Sequence, residues 1–185
     1  MAIKYILETE KSLQSRIKSI KETLKFVVAN KHTHAKRVPA TDSKIIFCFT
    51  ENVIADVGQF ISGNVQETFK TINPNFNASY FEIWDRKEKN EFYLNKIYFH
   101  LYSIEERENK EYILLHTDPC DPDLTHGDYK RSPHLHIKRT TDLKIPHAHL
   151  ALNINDYDIA LSSISEMDKC FKNHINMLVN QILLQ

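Results

Sequence analysis

Glycine is nearly missing from this chain, at 3 residues in 185, and proline is modest at 6. So little of either argues against a linker-rich or low-complexity protein. Cysteine is equally sparse. Cys48, Cys120 and Cys170 are far apart, odd in number and form no CxxC pair, which rules out a zinc-finger or disulfide framework and fits a reducing compartment. No long apolar run is present either. The N-terminal MAIKYILETEKSLQ lacks the roughly 7–15-residue hydrophobic stretch of a secretory signal. The most apolar window, IIFCFTENVIADVGQFISG, carries Glu51, Asn52 and Asp56, which are costly in lipid. The expected location is therefore cytoplasmic, away from a membrane.

What is present is an ordinary globular composition, 42% hydrophobic and 26% charged, in a length suited to one domain, 1–185, with a real core. Formal net charge is zero, yet the charge is unevenly placed. Residues 1–44 hold ten Lys and Arg against four Asp and Glu, and the remainder carries the compensating acidic excess. A basic segment on an acidic body can meet nucleic acid or an acidic partner, with Lys11, Lys18, Lys21, Lys25, Lys36 and Arg37 as the contacting side chains; a solvated helix face is the plainer alternative.

Ile6, Leu13, Ile17, Ile20, Leu24 and Val27 recur at helical steps among charged residues, predicting a basic amphipathic helical arm within 1–40. Its narrow stripe suits its own core or a partner helix. KHTHAKRVPATDS then reads as a loop, in which His32 and His34 are solvated. SKIIFCF reads as a short strand, followed by helical spacing through Val53, Val57, Phe60, Val65, Phe69 and Ile72, and NPNFNAS as a turn. From Tyr80 onward FEIWD, FYLNKIYFHLY, KEYILLHTD, HLHIK and HAHLALN are rich in aromatic and β-branched residues, as strands are. Short connections make an antiparallel meander over 80–153 the economical topology. A closing helix over 155–185, capped by Asn155 or Asp156, presents Ile164, Met167, Phe171, Ile175, Leu178 and Ile182. The fold class is α+β, an antiparallel β-meander with N-terminal and C-terminal helices packed on one face.

Two of these strands open on the same words, PHLHI (133–137) and PHAHL (146–150). Alternate strand residues share a face, so His134 and His136 point one way, and His147 and His149 likewise. Leu135, Ile137, Ala148, Leu150 and Leu152 must then face the core. An even connection sets His134 across from His149 and His136 from His147, with Cβ atoms about 4.5–5.5 Å apart. His100, alternating with Tyr98 and Tyr102, and His116, alternating with Leu114 and Asp118, are candidates for the same surface.

Three chemistries compete for these imidazoles. No motif requires a cofactor, but HxH plus a third ligand from a neighbouring strand suits a divalent metal such as zinc with an open position, with His134, His136, His147 and His149 as the ligand pool. The same four can act without metal as catalytic acid and base on a phosphodiester. The His-x-Thr or His-x-Ser pairs of two-histidine phosphoesterases are not matched, and Ala151 stands where a histidine-triad pattern needs its third histidine. A buried polar layer of hydrogen-bonded histidines is the structural alternative.

The stretch IYFHLYSIEERENKEYILLHTDPCDPDLTHGDYKRSPHLHI, about residues 97–137, resembles the core of the TumE-like bacterial toxin family. The matching elements are Tyr98 to His100, Leu115 to Asp118 with Pro119, and Pro133 to His136. The resemblance implies a small cytosolic bacterial protein of a toxin–antitoxin or anti-phage defence locus, encoded beside a protein partner that is an antitoxin or a larger defence subunit. This chain departs from that pattern in its greater length, its basic arm and its repeated PHxH. Two classes of function follow: a partner-dependent, non-catalytic subunit docking through its N-terminal helix, or a histidine-dependent nuclease-like or phosphoesterase-like toxin acting on nucleic acid. An enzyme needs the histidine face open, whereas a subunit can bury it.

Overall fold

The computed structural model describes residues 5–29, 33–52, 58–59, 67–123, 127–137, 148–152 and 156–185. They build one antiparallel sheet from β1 (Leu7–Thr9), β2 (His34–Thr41), β3 (Lys44–Thr50), β4 (Phe69–Lys70), β5 (Phe76–Glu88), β6 (Glu91–Glu105), β7 (Glu108–Thr117), β8 (His134–Ile137) and β9 (Ala148–Ala151). The spatial order is β2-β3-β5-β6-β7-β8-β9, with β1 added to β6 and β4 to β5. With its N-terminal and C-terminal helices the fold is α+β, and the strand order is that of a meander. The β6–β7 hairpin turns on Glu106 and Arg107, whose φ angles are 51° and 71°. A two-residue hairpin loop of this twist needs positive φ at both central residues, so two ordinary residues hold a conformation that favours glycine.

Both faces of the central strands are buried, which is why their sequences read as almost unbroken apolar runs. On one face Phe47, Phe49, Tyr80, Trp84, Phe99, Leu101 and Leu115 join the main core with helix side chains. On the other, Ile46, Cys48, Phe81 and Ile83 form a second apolar cluster, flanked by Val38 and Tyr98. The two helices of the main core are α1 (Arg16–Leu24) and, after the single turns α2 (Gly127–Lys130) and α3 (Tyr157–Ala160), the long α4 (Ile164–Leu178). Buried Ile20 and Leu24 of α1, and Met167, Phe171, Ile175 and Leu178 of α4, face the sheet.

One charged group is buried between these layers. Arg16 of α1 donates from Nη2 to Glu82 Oε1 at 2.5 Å and from Nε to Oε2 at 3.1 Å, and from Nη1 to Asp168 Oδ2 at 2.6 Å. Glu82 also accepts from Tyr80 Oη at 2.6 Å and Trp84 Nε1 at 3.0 Å. A fully buried carboxylate is tolerated only with its lone pairs satisfied in this way, and the network ties α1, β5 and α4 together.

Several local expectations are corrected. The N-terminal segment is not a continuous helical arm. It opens as strand β1 against β6, with Leu7 opposite Tyr93, then passes through a 3-10 turn, Ser12–Ser15, into α1. Its stripe is core: Ile6, Leu13, Ile20, Leu24 and Val27 are all essentially inaccessible. Sequence spacing identified the buried face but not what covers it. Residues 34–41 form strand β2 rather than a loop, because β3 offers a full ladder from His34↔Thr50 to Thr41↔Lys44. The helical spacing over 53–72 falls mostly outside the described residues, and Phe69–Lys70 is strand. The closing helix is capped by Ser163, whose Oγ accepts from Glu166 N at 3.2 Å, with α3 and a break before it. Ser163-x-x-Glu166 begins as a capping box does, and this is the signal that Asn155 and Asp156 obscured.

Candidate metal centre

The histidines lie on the face opposite the helices, in rows set by the ladder. Tyr98 of β6 is opposite His116 of β7, and His116 is opposite His134 of β8. One row along, His100 is opposite Leu114, Leu114 opposite His136, and His136 opposite His149 of β9. Directly paired residues share a face, so His100, His116, His134, His136 and His149 converge. Ring centroids are 4.1 Å apart for His116 and His136, 5.0 Å for His134 and His136, and 4.5 Å for His136 and His149. The Tyr98 ring stacks on His116 at 3.6 Å and 4°, holding that imidazole upright.

The pairing differs in register from the expected one. His136, not His147, faces His149, and His134 faces Ala151. The connection spans residues 138–147 and is even, as the alternation required. Parity fixes which face the side chains occupy but leaves a shift by two residues free. His147 lies outside the described residues. Leu135 and Leu152 pack against the main core, whereas Leu150 is 49% exposed. Among the described residues β9 ends the strand order with a neighbour on one side only, so its outer apolar side chain is less covered than the pattern implied.

Hydrogen bonding decides which nitrogen of His134 is available. Its Nδ1 is 2.9 Å from the Ser132 carbonyl. A carbonyl only accepts, so Nδ1 carries the proton, and Nε2 of the neutral ring presents a lone pair. That Nε2 is 3.0 Å from His136 Nε2. On the other side, His116 Nε2 lies 2.6 Å from His100 Nε2, and His100 Nδ1 lies 3.0 Å from Tyr102 Oη. His116 Nδ1 is buried, and among the described residues it has no hydrogen-bond partner. His116, His134 and His136 each offer a ligand nitrogen, and these atoms lie within 4.8 Å of one another. Three nitrogens around a tetrahedral zinc ion at 2.0–2.1 Å stand roughly 3.3 Å apart, so small side-chain rotations close the set. This group could hold a metal ion.

The electrostatics suit ligands rather than charged imidazoles. Burial, followed by repulsion from His100, His136 and His134, pushes the His116 pKa far below the ordinary range. Burial also lowers His134 to about 4, against the opposing pull of the Ser132 carbonyl. Both rings are neutral at pH 7, so no proton competes for their lone pairs. Burial raises the Asp118 carboxyl to about 6, partly offset by the Tyr98 hydroxyl, which donates to Oδ1 at 2.8 Å. Asp118 Oδ2 is 3.9 Å from His134 Nε2. With His134 neutral that contact is not an ion pair, but it places a carboxylate beside the imidazole group.

Beside the group lies a cleft of about 360 Å³ lined by Lys96, Tyr98, Asp118, Lys130, His136 and His149 among others, so that His136 borders it while His116 and His134 are buried behind. Of the residues singled out from the sequence, His134, His136 and His149 are brought together, with His100, His116 and Asp118 beside them. The sequence marks His116 as a neighbour, whereas the geometry makes it one of the three converging imidazoles. The β7–β8 pairing responsible, His116↔His134, spans an irregular connection whose course no periodicity announces. The basic residues fall on two segments, the turn and helix of the N-terminal region and strand β2. Lys11, Lys18, Lys21 and Lys25 are exposed at the N-terminal turn and on α1, with Lys25 near Glu22. Lys36 and Arg37 are neighbours on strand β2; Lys36 donates to the Asn52 carbonyl, and Arg37 pairs with Glu10 at 2.7 Å.

No protein-family model matches this sequence, and neither does a curated protein or a solved structure. Among the described residues no helix is long and apolar enough to cross a membrane.

Proposed function

We propose that this protein binds a divalent transition-metal ion, with zinc the best chemical fit, through His116, His134 and His136. The observation that supports this most is the convergence of three imidazoles, two of them, His116 and His134, kept neutral by burial, with the His134 lone pair left on Nε2 by the bond from Nδ1 to Ser132. A carbonyl on the far nitrogen of a ligand histidine fixes its tautomer and orientation, as outer-shell partners of metal ligands do. Three protein nitrogens with a fourth position facing a cleft make a catalytic-type rather than a closed structural site, and a bound ion supplies Lewis acidity at that position. Around it, Asp118 is held by Tyr98 where it can accept a proton from the cleft, and Tyr98 also stacks against His116.

A self-satisfied polar layer explains less. It leaves His116 Nδ1 unpartnered and gives no role to the cleft. The reading as a partner-dependent subunit of a toxin–antitoxin or defence locus rests on the TumE-like resemblance. It has to use a surface other than the N-terminal stripe, which is core.

Isothermal titration of zinc into tag-free, chelator-stripped protein tests the proposal. One ion per chain is expected, with binding lost in His134→Ala and weakened in His116→Ala. Absence of binding, or equal binding by His134→Ala, would overturn it.

A further inference from the structure

Next to the imidazole group, strand β6 breaks its alternation. Ile83 pairs with Lys96 but Trp84 pairs with Leu94, so Asn95 is an extra residue, a β-bulge. In a regular strand consecutive residues point to opposite faces, yet Asn95 and Lys96 both line the same cleft. A bulge produces this by kinking the strand and re-aiming a side chain.

The side chain so placed is an ammonium. Lys96 Nζ lies 5.4 Å from the centroid of the Tyr98 ring, the ring that stacks on His116. Among the described residues Lys96 has no carboxylate partner, in contrast to the other lysine of the cleft. Lys130 is neutralised by Asp123 at 2.9 Å and Asp121 at 3.7 Å. Lys96 is therefore the cation of this cleft that makes no close ion pair among the described residues, although its charge reaches Asp118 and partly offsets the rise of that carboxyl.

Imidazole ligands bring no negative charge to an ion, so a divalent cation held by three of them keeps its full charge toward the cleft, unlike one held by thiolates. With Lys96 and Lys130 beside it, against Asp118, Asp121 and Asp123, the divalent ion still leaves the occupied cleft net positive. An anion with more than one oxygen can then bridge the two cations, one oxygen on the metal and another on the ammonium. Lysine serves phosphate in this way, as a point charge on a flexible stem.

We propose that the cleft binds the phosphate group of its ligand between the metal ion and Lys96, making phosphate esters the substrate class of the site. This rests on the metal-binding reading above and adds to it a specificity residue outside the ligand set.

The test uses the full chain, zinc-loaded, titrated with inorganic phosphate, phenyl phosphate and diphenyl phosphate, with acetate as the competing oxyanion. Phosphate should bind to the zinc-loaded protein and not to the stripped one. Lys96→Met, which keeps the aliphatic stem, should weaken phosphate about tenfold or more, the worth of one charge-assisted hydrogen bond, with zinc bound at least as tightly because a neighbouring positive charge is gone. Lys96→Arg should restore most of the binding and so exclude a folding defect. The two esters distinguish a monoester from a diester ligand. Failure to bind zinc removes both the metal site and this proposal. Zinc binding with no phosphate binding, equal phosphate binding by Lys96→Met, or acetate bound as tightly as phosphate overturns the proposal alone.

Discussion

Acidification of the metal-free protein separates two buried groups that titrate in opposite senses, and Asp118→Asn makes the separation measurable. His134 is held neutral, with its pKa lowered to about 4 by burial, whereas in the unfolded chain it titrates at about 6.5. As pH falls from 6.5 to 4 the unfolded state takes up the proton and the folded state does not, so stability is lost at about 1.4 kcal/mol per pH unit, roughly 3 kcal/mol across the window. Asp118 runs the other way. Its folded pKa is raised to about 6 from about 3.9 unfolded, so its stabilising contribution is complete below 3.9 and lost as pH rises through 6. Across that span it offsets roughly 3 kcal/mol. In the wild type the two nearly cancel. Asp118→Asn keeps the acceptor for Tyr98 and removes the titration, so the loss from His134, with His116 adding in the same direction, is unmasked. Urea unfolding in chelator at pH 7, 6, 5 and 4 reads the result. The variant should lose about 3 kcal/mol more than the wild type between pH 6.5 and 4, while groups elsewhere cancel in the difference. Parallel curves for the two proteins would refute the raised Asp118 pKa, and a variant whose own stability stays flat over this window would refute a buried, neutral His134.

Arg16→Met should destabilise by about 3–5 kcal/mol, because it strands Glu82 without its cation in the core, and Arg16→Met with Glu82→Gln should recover part of that; equilibrium denaturation decides. Leu13→Ser, Ile20→Ser and Leu24→Ser together should unfold the whole chain, since each position is 0% exposed and truncating a buried leucine or isoleucine costs about 2–5 kcal/mol against a total of about 5–15. Circular dichroism showing a native sheet in that triple variant would return the stripe to the role of a docking surface.

The strands from Tyr80 to Thr117 were legible because their composition and close spacing leave little but an antiparallel meander, although β5 already begins at Phe76, inside the stretch NPNFNAS that reads as a turn; Leu135 with Leu152 against the core followed from period-two alternation. The helix faces were equally plain: Leu13, Ile20, Leu24, Met167, Phe171 and Ile175 repeat at helical steps. What the pattern could not carry was pairing. Ile6 satisfies a helical stripe and a buried strand end equally well, and only the free edge of β6 beside it decides for β1. For the site, four histidines sharing a face could be read from PHLHI and PHAHL, but the partner of His134 could not. The His116↔His134 contact is made between strands separated by an irregular stretch, and the register of β8 on β9 depends on more than loop parity. The Asn95 bulge that aims Lys96 has no composition cue, since neither glycine nor proline marks it.

The central claim is the identity of the ligands, and X-ray absorption at the zinc edge measures it directly. For tag-free protein loaded with one equivalent of zinc, the account predicts three imidazole nitrogens at about 2.0–2.1 Å with an additional light atom in the first shell, reduced to two imidazoles in His116→Ala. A shell containing sulfur at about 2.3 Å, or one unchanged in His116→Ala, would contradict it.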